Sequence, residues 1–275
     1  LFKNGKLKLQ GLKSAIKMAE QWRFNLDSKF LFVTMSQKNN KWYAAITAEI
    51  TERNLPKGLD SDPVGIDLGI TTLATLSNGQ KLTKRKTSRK DKERLKRLQR
   101  RLSKKKKGSK NRLKAKNKLA NLHEKIANRR EHDIQTITTS LAKQYENIVL
   151  ETLNVKGMMK NHKLAGALSD ASLYKFKSEL KRKVLERKGT LNEVSQWFPS
   201  SKLCSSCGVK NNALTIKDRN WICNSCGTNH DRDINAALNL KNSVRPSRPE
   251  VKPVEIIKSS NASYEGIQIC EAGSN

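Results

Sequence analysis

The stretch VGIDLGITTLATLSNGQKL, residues 64–82, decides the fold. It contains a short apolar strand that ends at Asp67, then a glycine, a second β-branched run, and Asn78-Gly79 as a tight-turn signal. Further along, the apolar run NIVLETLNV, residues 147–155, predicts a strand whose last residue before a polar turn is Glu151. These segments predict a mixed sheet in an α/β protein.

The other predicted elements follow from the spacing of apolar residues. Residues 28–50 contain two β-rich runs joined by a polar turn, which predicts a hairpin. Residues 190–198 predict a further strand, and INAALNL, residues 234–240, predicts a final helix. Residues 172–188 predict an amphipathic helix. Its inward face carries Leu173, Phe176, Leu180 and Val184.

The net charge points to a polyanionic partner. The chain has 275 residues with 56 Lys or Arg against 25 Asp or Glu, a formal charge of +31. A globular protein has little physical reason to keep such self-repulsion unless it binds a polyanion, and nucleic acid is the expected one. No run approaches the roughly 18 apolar residues of a membrane span, and the start lacks the apolar core of a signal peptide. We therefore expect a soluble, cytoplasmic protein without membrane contact.

Most of this charge lies in residues 81–130, which hold 24 Lys or Arg against three acids. Leucines and isoleucines still recur there at helical spacing, and SKKKKGSKN, residues 103–111, interrupts the pattern. This predicts a basic helical hairpin over residues 84–145, although a solvated charged helix or a disordered segment is the alternative. The candidate phosphate contacts are Arg97, Arg100, Arg101, Lys104, Lys105, Lys106 and Lys107.

Four cysteines form two C-x-x-C pairs with 15 residues between them. This number and spacing predict one structural zinc ion held by four thiolates, as in a zinc ribbon. A redox C-x-x-C site is the alternative, but such a site needs a single pair at a helix start. The predicted zinc ligands are Cys204, Cys207, Cys223 and Cys226.

Four residues near these cysteines have less specific interpretations. We do not expect His230 to bind zinc directly, because four thiolates already complete the tetrahedron. It is expected to make an outer-sphere contact or a nucleic-acid contact instead. Trp221 is expected to pack against the ribbon rather than on a base. Trp197, with its neighbour Phe198, is expected to pack in the core or at a hinge.

Three carboxylates occupy positions that suit a pair of Mg²⁺ ions. Asp67 lies in an apolar strand, Glu151 ends a second strand, and Asp233 opens the last helix. Burying such charges is costly unless a metal or hydrogen bonds compensate, and Mg²⁺ prefers carboxylate oxygens. Two Mg²⁺ ions could support phosphodiester cleavage. Taken singly, Asp67 could be a turn residue, Glu151 a surface acid and Asp233 a helix N-cap.

The segments GIDLGITTLAT, IVLETLNVKGM, SSKLCSSCG and CGTNHDRDINAALNL together resemble the TnpB family, the OrfB-type transposon-encoded proteins related to type V CRISPR effectors. The resemblance covers roughly residues 28–241. It implies a ribonuclease-H-like (RuvC) fold with an inserted zinc ribbon and a two-Mg²⁺ site at Asp67, Glu151 and Asp233. It also implies DNA cleavage guided by a transposon-end RNA, with DNA and guide RNA as partners.

The resemblance divides the chain into five regions. Residues 1–60 correspond to part of a β-rich wedge region and a linker, residues 61–200 to the RuvC-like core, residues 201–230 to the zinc ribbon, residues 231–241 to the final RuvC segment, and residues 242–275 to a disordered tail. Because the chain starts at Leu1 with only 66 residues before Asp67, we expect an N-terminally truncated protein. A truncated remnant that binds nucleic acid without cutting it, and an ordinary zinc-ribbon RNA-binding protein, remain the alternatives.

Overall fold

The computed structural model describes residues 2–3, 6–19, 29–39, 41–49, 56–85, 87–215 and 217–244. The predicted disordered tail falls almost wholly outside these residues. Within the predicted tail, Asn242 is the last residue of a helix.

The N-terminal part contains two small antiparallel sheets. The hairpin predicted over residues 28–50 is confirmed as the second of them. It contacts a long helix described below, because the Asn39 amide donates to a Glu124 carboxylate oxygen at 2.9 Å and the Tyr43 hydroxyl donates to the other at 3.1 Å. The strands are β1 (Phe2–Lys3), β2 (Lys6–Leu7), β3 (Ile16–Lys17), β4 (Phe30–Lys38) and β5 (Lys41–Ala48).

The central sheet has five strands and is mixed, as the sequence predicts. Its order is β10-β9-β6-β7-β8, with the β6–β9 and β9–β10 pairs parallel and the β6–β7 and β7–β8 pairs antiparallel. The turn predicted at Asn78-Gly79 connects β7 to β8, and Gly79 has φ +88° there. The strands are β6 (Val64–Leu68), β7 (Ala74–Leu76), β8 (Lys81–Leu82), β9 (Asn147–Glu151) and β10 (Thr190–Val194).

The basic segment forms the predicted helical hairpin. Helix α1 (Arg89–Ser103) and helix α2 (Lys110–Gln144) are joined by the lysine-rich loop, where Gly108 has φ +82°. Ser88 and Ser109 cap the two helices by accepting backbone N–H groups. Residues 89–103 and 110–144 are therefore helical, and a solvated charged helix stays the alternative interpretation of their function.

Three shorter helices follow β9. These are α3 (Val155–Met159), α4 (His162–Ala171) and α5 (Leu173–Glu186). Only α5 was predicted, and its four predicted inward residues are all at most 2% exposed. They pack with α2 against one face of the central sheet, where Ile66, Ile148 and Leu150 are fully buried.

The cysteine-rich segment carries a short antiparallel pair, β11 (Asn220–Ile222) and β12 (Asn229–Asp231). The chain passes from β12 directly into the last helix, α6 (Arg232–Asn242). This helix covers the other face of the central sheet, where Ala237 and Leu240 are fully buried.

Candidate active site and cysteine cluster

Strand pairing brings Asp67 and Glu151 side by side. The parallel strands β6 and β9 pair Ile66 with Leu150, so Asp67 and Glu151 are the next residues on the two strands. Side chains alternate between faces, which places both carboxylates on the same face of the sheet. Neighbouring strands lie about 5 Å apart, so the two residues are direct neighbours.

A close helix–strand contact places Asp233 above them. A Cβ atom on Gly65 would lie 1.9 Å from the carbonyl oxygen of Ala237, so only glycine lets α6 rest on β6 at this point. Asp67 lies two residues beyond Gly65 on the same face, and Asp233 lies one helical turn before Ala237. The contact at Gly65 therefore fixes the height at which the first turn of α6 crosses the sheet.

The three charges act on each other. Burial raises the pKa of Asp67 to about 7, and the charges of Asp233 and Glu151 add to this rise, while Arg232 and Arg219 oppose it. Burial also raises the pKa of Glu151. The three carboxylates predicted from sequence are thus brought together.

The two strand carboxylates lack direct hydrogen-bond or ion-pair partners among the described residues. Neither the Asp67 carboxylate nor the Glu151 carboxylate accepts a hydrogen bond or forms an ion pair within the described part of the chain, and Arg232 and Arg219 act on Asp67 only through their charge. Other acids of this chain are compensated: Asp133, for example, accepts hydrogen bonds from the Arg85 guanidinium. Burying an ionised carboxylate without a partner costs free energy, and a bound divalent cation would offset this cost. Carboxylate oxygens are the kind of ligand that Mg²⁺ prefers.

Asp233 is not the helix N-cap. That role belongs to Asp231, whose carboxylate accepts the backbone N–H groups of Asp233 and Ile234 at 3.0 and 3.1 Å. The other oxygen of Asp231 pairs with Lys81 at 2.7 Å. The interpretation of Asp233 as a cap is therefore wrong, and its side chain is left to face the other two acids.

Sequence reasoning missed Arg219. Its guanidinium lies 3.3 Å from the Asp233 carboxylate, and its carbonyl accepts the backbone N–H of Arg232 at 2.8 Å. Arg219 stands in the insert between the two cysteine pairs and belongs to no motif that we recognised. It places a positive charge at the edge of the acid cluster.

The four cysteines form a cluster that could hold a zinc ion. Their sulfur atoms all lie within 4.8 Å of one another, and the Cys204–Cys226 and Cys207–Cys223 pairs are 3.6 Å apart. A tetrahedron with Zn–S bonds of about 2.3 Å has edges of about 3.8 Å, so the spacing fits. Both cysteine pairs make the same turn, in which Gly208 and Gly227 adopt positive φ.

The structure tests the interpretations of the histidine and tryptophan residues near this cluster. His230 is 6% exposed, and its Nε2 lies 3.1 Å from the Cys204 sulfur, which favours the outer-sphere interpretation. Trp221 is buried against Cys204 and Cys223, as expected. The prediction for Trp197 is wrong: it lies in the turn after β10 and is 83% exposed.

The seven predicted phosphate-contacting residues lie on the surface of the hairpin. Arg97, Arg100, Arg101 and Lys104 line one groove along α1, and the other three lysines lie in the exposed loop after it. Within the described part of the chain, none of the seven forms an ion pair with an acid. The Arg112 guanidinium donates to the carbonyls of Leu102 and Lys105, which holds the loop against α2.

Ion pairs join the two arms of the hairpin at its base. Asp91 on α1 pairs with Arg129 on α2, and Asp133 on α2 pairs with Arg85 before α1. These acids neutralise cations at the base only, so the tip keeps its charge. Among the residues that the structure describes, no helix is long and apolar enough to cross a membrane.

These observations define a class: a mixed α/β protein with an acid cluster on its sheet, a four-cysteine cluster and a basic hairpin. Two family models match the chain. Residues 32–162 match the OrfB family of transposon proteins, described as "Probable transposase", and residues 174–240 match the "Cas12f1-like, TNB domain". These two matches confirm the resemblance that the motifs indicate.

Curated relatives carry consistent names. The chain is 41% identical over 209 residues to a "Putative RNA-guided DNA endonuclease" of Streptomyces pristinaespiralis, covering 76% of this chain and 51% of the relative. It is 33% identical over 225 residues to the "Putative RNA-guided DNA endonuclease InsQ" of Escherichia coli (strain K12), covering 76% and 55%. The chain thus spans about half the length of the curated relatives it matches.

Among solved structures, the chain is similar to a protein in the cryo-EM structure of the CRISPR-Cas12f ternary complex. The TM-score is 0.48 at 20% sequence identity, and the match covers 80% of this chain and 45% of that one.

Proposed function

We propose that this protein is a metal-dependent DNA endonuclease of the RNA-guided type, with a RuvC-like active site formed by Asp67, Glu151 and Asp233. The observation that carries the proposal is the cluster of three carboxylates, two of them desolvated and without protein partners, on one face of a mixed sheet. The family and the names of the relatives support the same reaction.

The fold supports a ribonuclease-H-like assignment. Asp67 lies on the middle strand of the five-stranded sheet, Glu151 on the parallel neighbour and Asp233 on the helix that covers them. In this division residues 61–200 form the nuclease core, residues 201–230 the zinc ribbon and residues 231–241 the final nuclease segment. Residues 1–60 contribute the wedge-like β region.

The three acids would hold two Mg²⁺ ions, with Asp67 between the other two. When bound, such a pair activates a water molecule and stabilises charge on the phosphate and the leaving oxygen. The protein's own contribution is to fix three oxygen ligands on rigid elements and to hold Arg219 beside Asp233, where its charge suits a phosphate. The four thiolates would hold one zinc ion in the ribbon.

The proposal is tested with the nucleic acid that the protein itself selects. RNA that copurifies with the expressed chain is sequenced, and DNA complementary to it is offered with Mg²⁺. We expect a transposon-end transcript, and cleavage that requires both complementarity and Mg²⁺. Binding of that DNA with no cleavage at any Mg²⁺ concentration would instead favour the alternative, a nucleic-acid binder without nuclease activity.

We propose that the hairpin tip contacts phosphates, because seven exposed cations there lack acidic partners in the described structure. Replacing Lys104, Lys105, Lys106 and Lys107 by Gln should weaken DNA binding and lower the slope of log K against log salt. Each lost phosphate contact lowers that slope by about 0.7–0.9. Binding is measured by fluorescence anisotropy from 50 to about 300 mM salt.

A matched control replaces four cations elsewhere by Gln: Lys57, Lys177, Lys181 and Arg182, which all pair with acids. This variant loses the same formal charge without touching the tip. Equal salt slopes for the tip variant and the control variant would contradict the proposed contact.

A further inference from the structure

Helix α6 has two buried faces with different chemistry. The face with Ala237 and Leu240 packs on the central sheet, and Gly65 sets the distance. Another face carries Asn235 and Asn239, which are 1% and 7% exposed. Buried amides need hydrogen-bond partners, and both of these find theirs in the segment that carries the first cysteine pair.

The two amides converge on a single backbone carbonyl. The Asn235 and Asn239 side-chain NH₂ groups both donate to the Leu203 carbonyl at 2.7 Å, one residue before Cys204. Asn239 also donates to the Ser200 carbonyl at 2.7 Å, and the Asn235 side-chain oxygen accepts the Ser205 N–H at 2.9 Å. Four hydrogen bonds thus tie α6 to both sides of Cys204.

The segment before the second cysteine pair holds the beginning of α6. The Arg232 guanidinium donates to the Thr215 carbonyl at 3.1 Å, and its backbone N–H donates to the Arg219 carbonyl at 2.8 Å. Strand β12, which leads into α6 at Asp231, pairs with β11 just before Cys223. Both halves of the cysteine-rich segment therefore contact the helix within a few residues of Asp233.

We propose that the zinc-loaded ribbon positions Asp233, so that zinc occupancy sets the affinity of the acid cluster for divalent cations. Asn235 and Asn239 are the positioning residues, and this inference rests on the proposed function. Four thiolates on one ion fix the backbone around Cys204, which keeps the Leu203 carbonyl and the Ser205 N–H where the amides need them. Without zinc this backbone is free to move, and the amides lose their fixed partners.

The expected loss is in cation affinity, because Asp67 and Glu151 stay on the sheet while Asp233 shifts with the first turn of α6. Outer-shell partners of metal ligands typically contribute about 10–100-fold in metal affinity. We expect a decrease of this size when zinc is removed, and a similar one when either asparagine is replaced by alanine.

The experiment measures Mn²⁺ binding by the free-ion EPR signal, with Mn²⁺ as the probe for the Mg²⁺ site. Four samples are compared: zinc-loaded wild type, wild type stripped of zinc by a nitrogen-donor chelator that is then removed, Asn235→Ala and Asn239→Ala. Asn242→Ala is the matched control, because Asn242 is exposed on the same helix. Zinc content and far-UV circular dichroism are recorded for every sample.

We expect weaker Mn²⁺ binding in the stripped protein and recovery when one equivalent of zinc is restored. We also expect weaker binding in Asn235→Ala and in Asn239→Ala at full zinc content. Unchanged affinity after zinc removal would overturn it, and so would wild-type affinity in both asparagine variants. If either variant fails to fold, the inference is tested by comparing the Mn²⁺ affinity of the wild type before zinc removal, after it, and after zinc is restored. Mn²⁺ binding that Asp67→Asn does not weaken would instead show that the acid site itself is wrongly assigned.

Discussion

Replacing Asp67, Glu151 or Asp233 by the corresponding amide should lower Mg²⁺-dependent DNA cleavage by about 1,000-fold or more. Each change removes one anionic ligand from the site that we propose holds two cations. An amide keeps the size of the side chain, so the packing of β6, β9 and α6 is preserved. DNA binding should remain within about two-fold, because the proposed phosphate contacts lie on the basic hairpin and not on these acids.

Cleavage of end-labelled DNA under single-turnover conditions measures this effect, and anisotropy measures binding. Asp62→Asn is the matched control, because Asp62 precedes the same strand but pairs with Lys241 at the surface. It should cut like the wild type. Cleavage by the triple amide variant at the wild-type rate would exclude the three acids as the active site.

Asp67→Asn should also stabilise the metal-free protein at alkaline pH. The pKa of Asp67 rises from its ordinary 3.8 to about 7 in the fold, chiefly because of burial. One pKa unit corresponds to about 1.4 kcal/mol, so the ionised carboxylate costs the native state at most about 4 kcal/mol. The amide removes this cost, and the expected gain in unfolding free energy at pH 8.5 is about 2–4 kcal/mol.

The pH dependence has a definite sign. Because the folded protein holds the Asp67 proton more tightly than the unfolded chain, this group favours folding below about pH 4 and loses that contribution as pH rises through about 7. The gain from Asp67→Asn should therefore be large at pH 8.5 and small at pH 4.5. Urea unfolding in Mg²⁺-free buffer measures both values.

Two further observations complete that comparison. Adding Mg²⁺ should stabilise the wild type and leave Asp67→Asn unchanged, because a ligand stabilises only the state that binds it. Asp62→Asn, the surface control, should show no gain that grows with pH. Equal unfolding free energies for wild type and Asp67→Asn at pH 8.5 would mean that the carboxylate is not desolvated as described.

The sequence predicts the elements whose residues repeat at a regular spacing. The four apolar residues of α5, from Leu173 to Val184, and the break in the basic hairpin at Gly108 lie where periodicity and composition place them. The cysteine cluster was predictable for a different reason: the spacing of two C-x-x-C pairs permits few arrangements other than a shared tetrahedron. The strand positions of Asp67 and Glu151 also followed from their apolar flanks.

The parts that were missed depend on contacts between distant residues. Helix α4 was not predicted, and its buried residues are Leu168 and Ala171. The N-cap role of Asp231 could not be separated from that of Asp233, since two acids in D-R-D satisfy the same local rule. Trp197 was predicted to be in the core because tryptophan is a large apolar residue. Only the fold shows that its turn faces solvent. The hydrogen bonds of Asn235 and Asn239 to the Leu203 carbonyl have no local sequence signal, because that carbonyl lies 32 and 36 residues away along the chain.

We propose that Asp67, Glu151 and Asp233 form one site for divalent cations. The most direct measurement is X-ray diffraction from crystals of the zinc-loaded protein grown with Mn²⁺, using anomalous scattering at the manganese edge. We expect two manganese peaks among the three carboxylates. Manganese sites elsewhere with none at these carboxylates, or side-chain oxygens too far apart to share an ion, would contradict it.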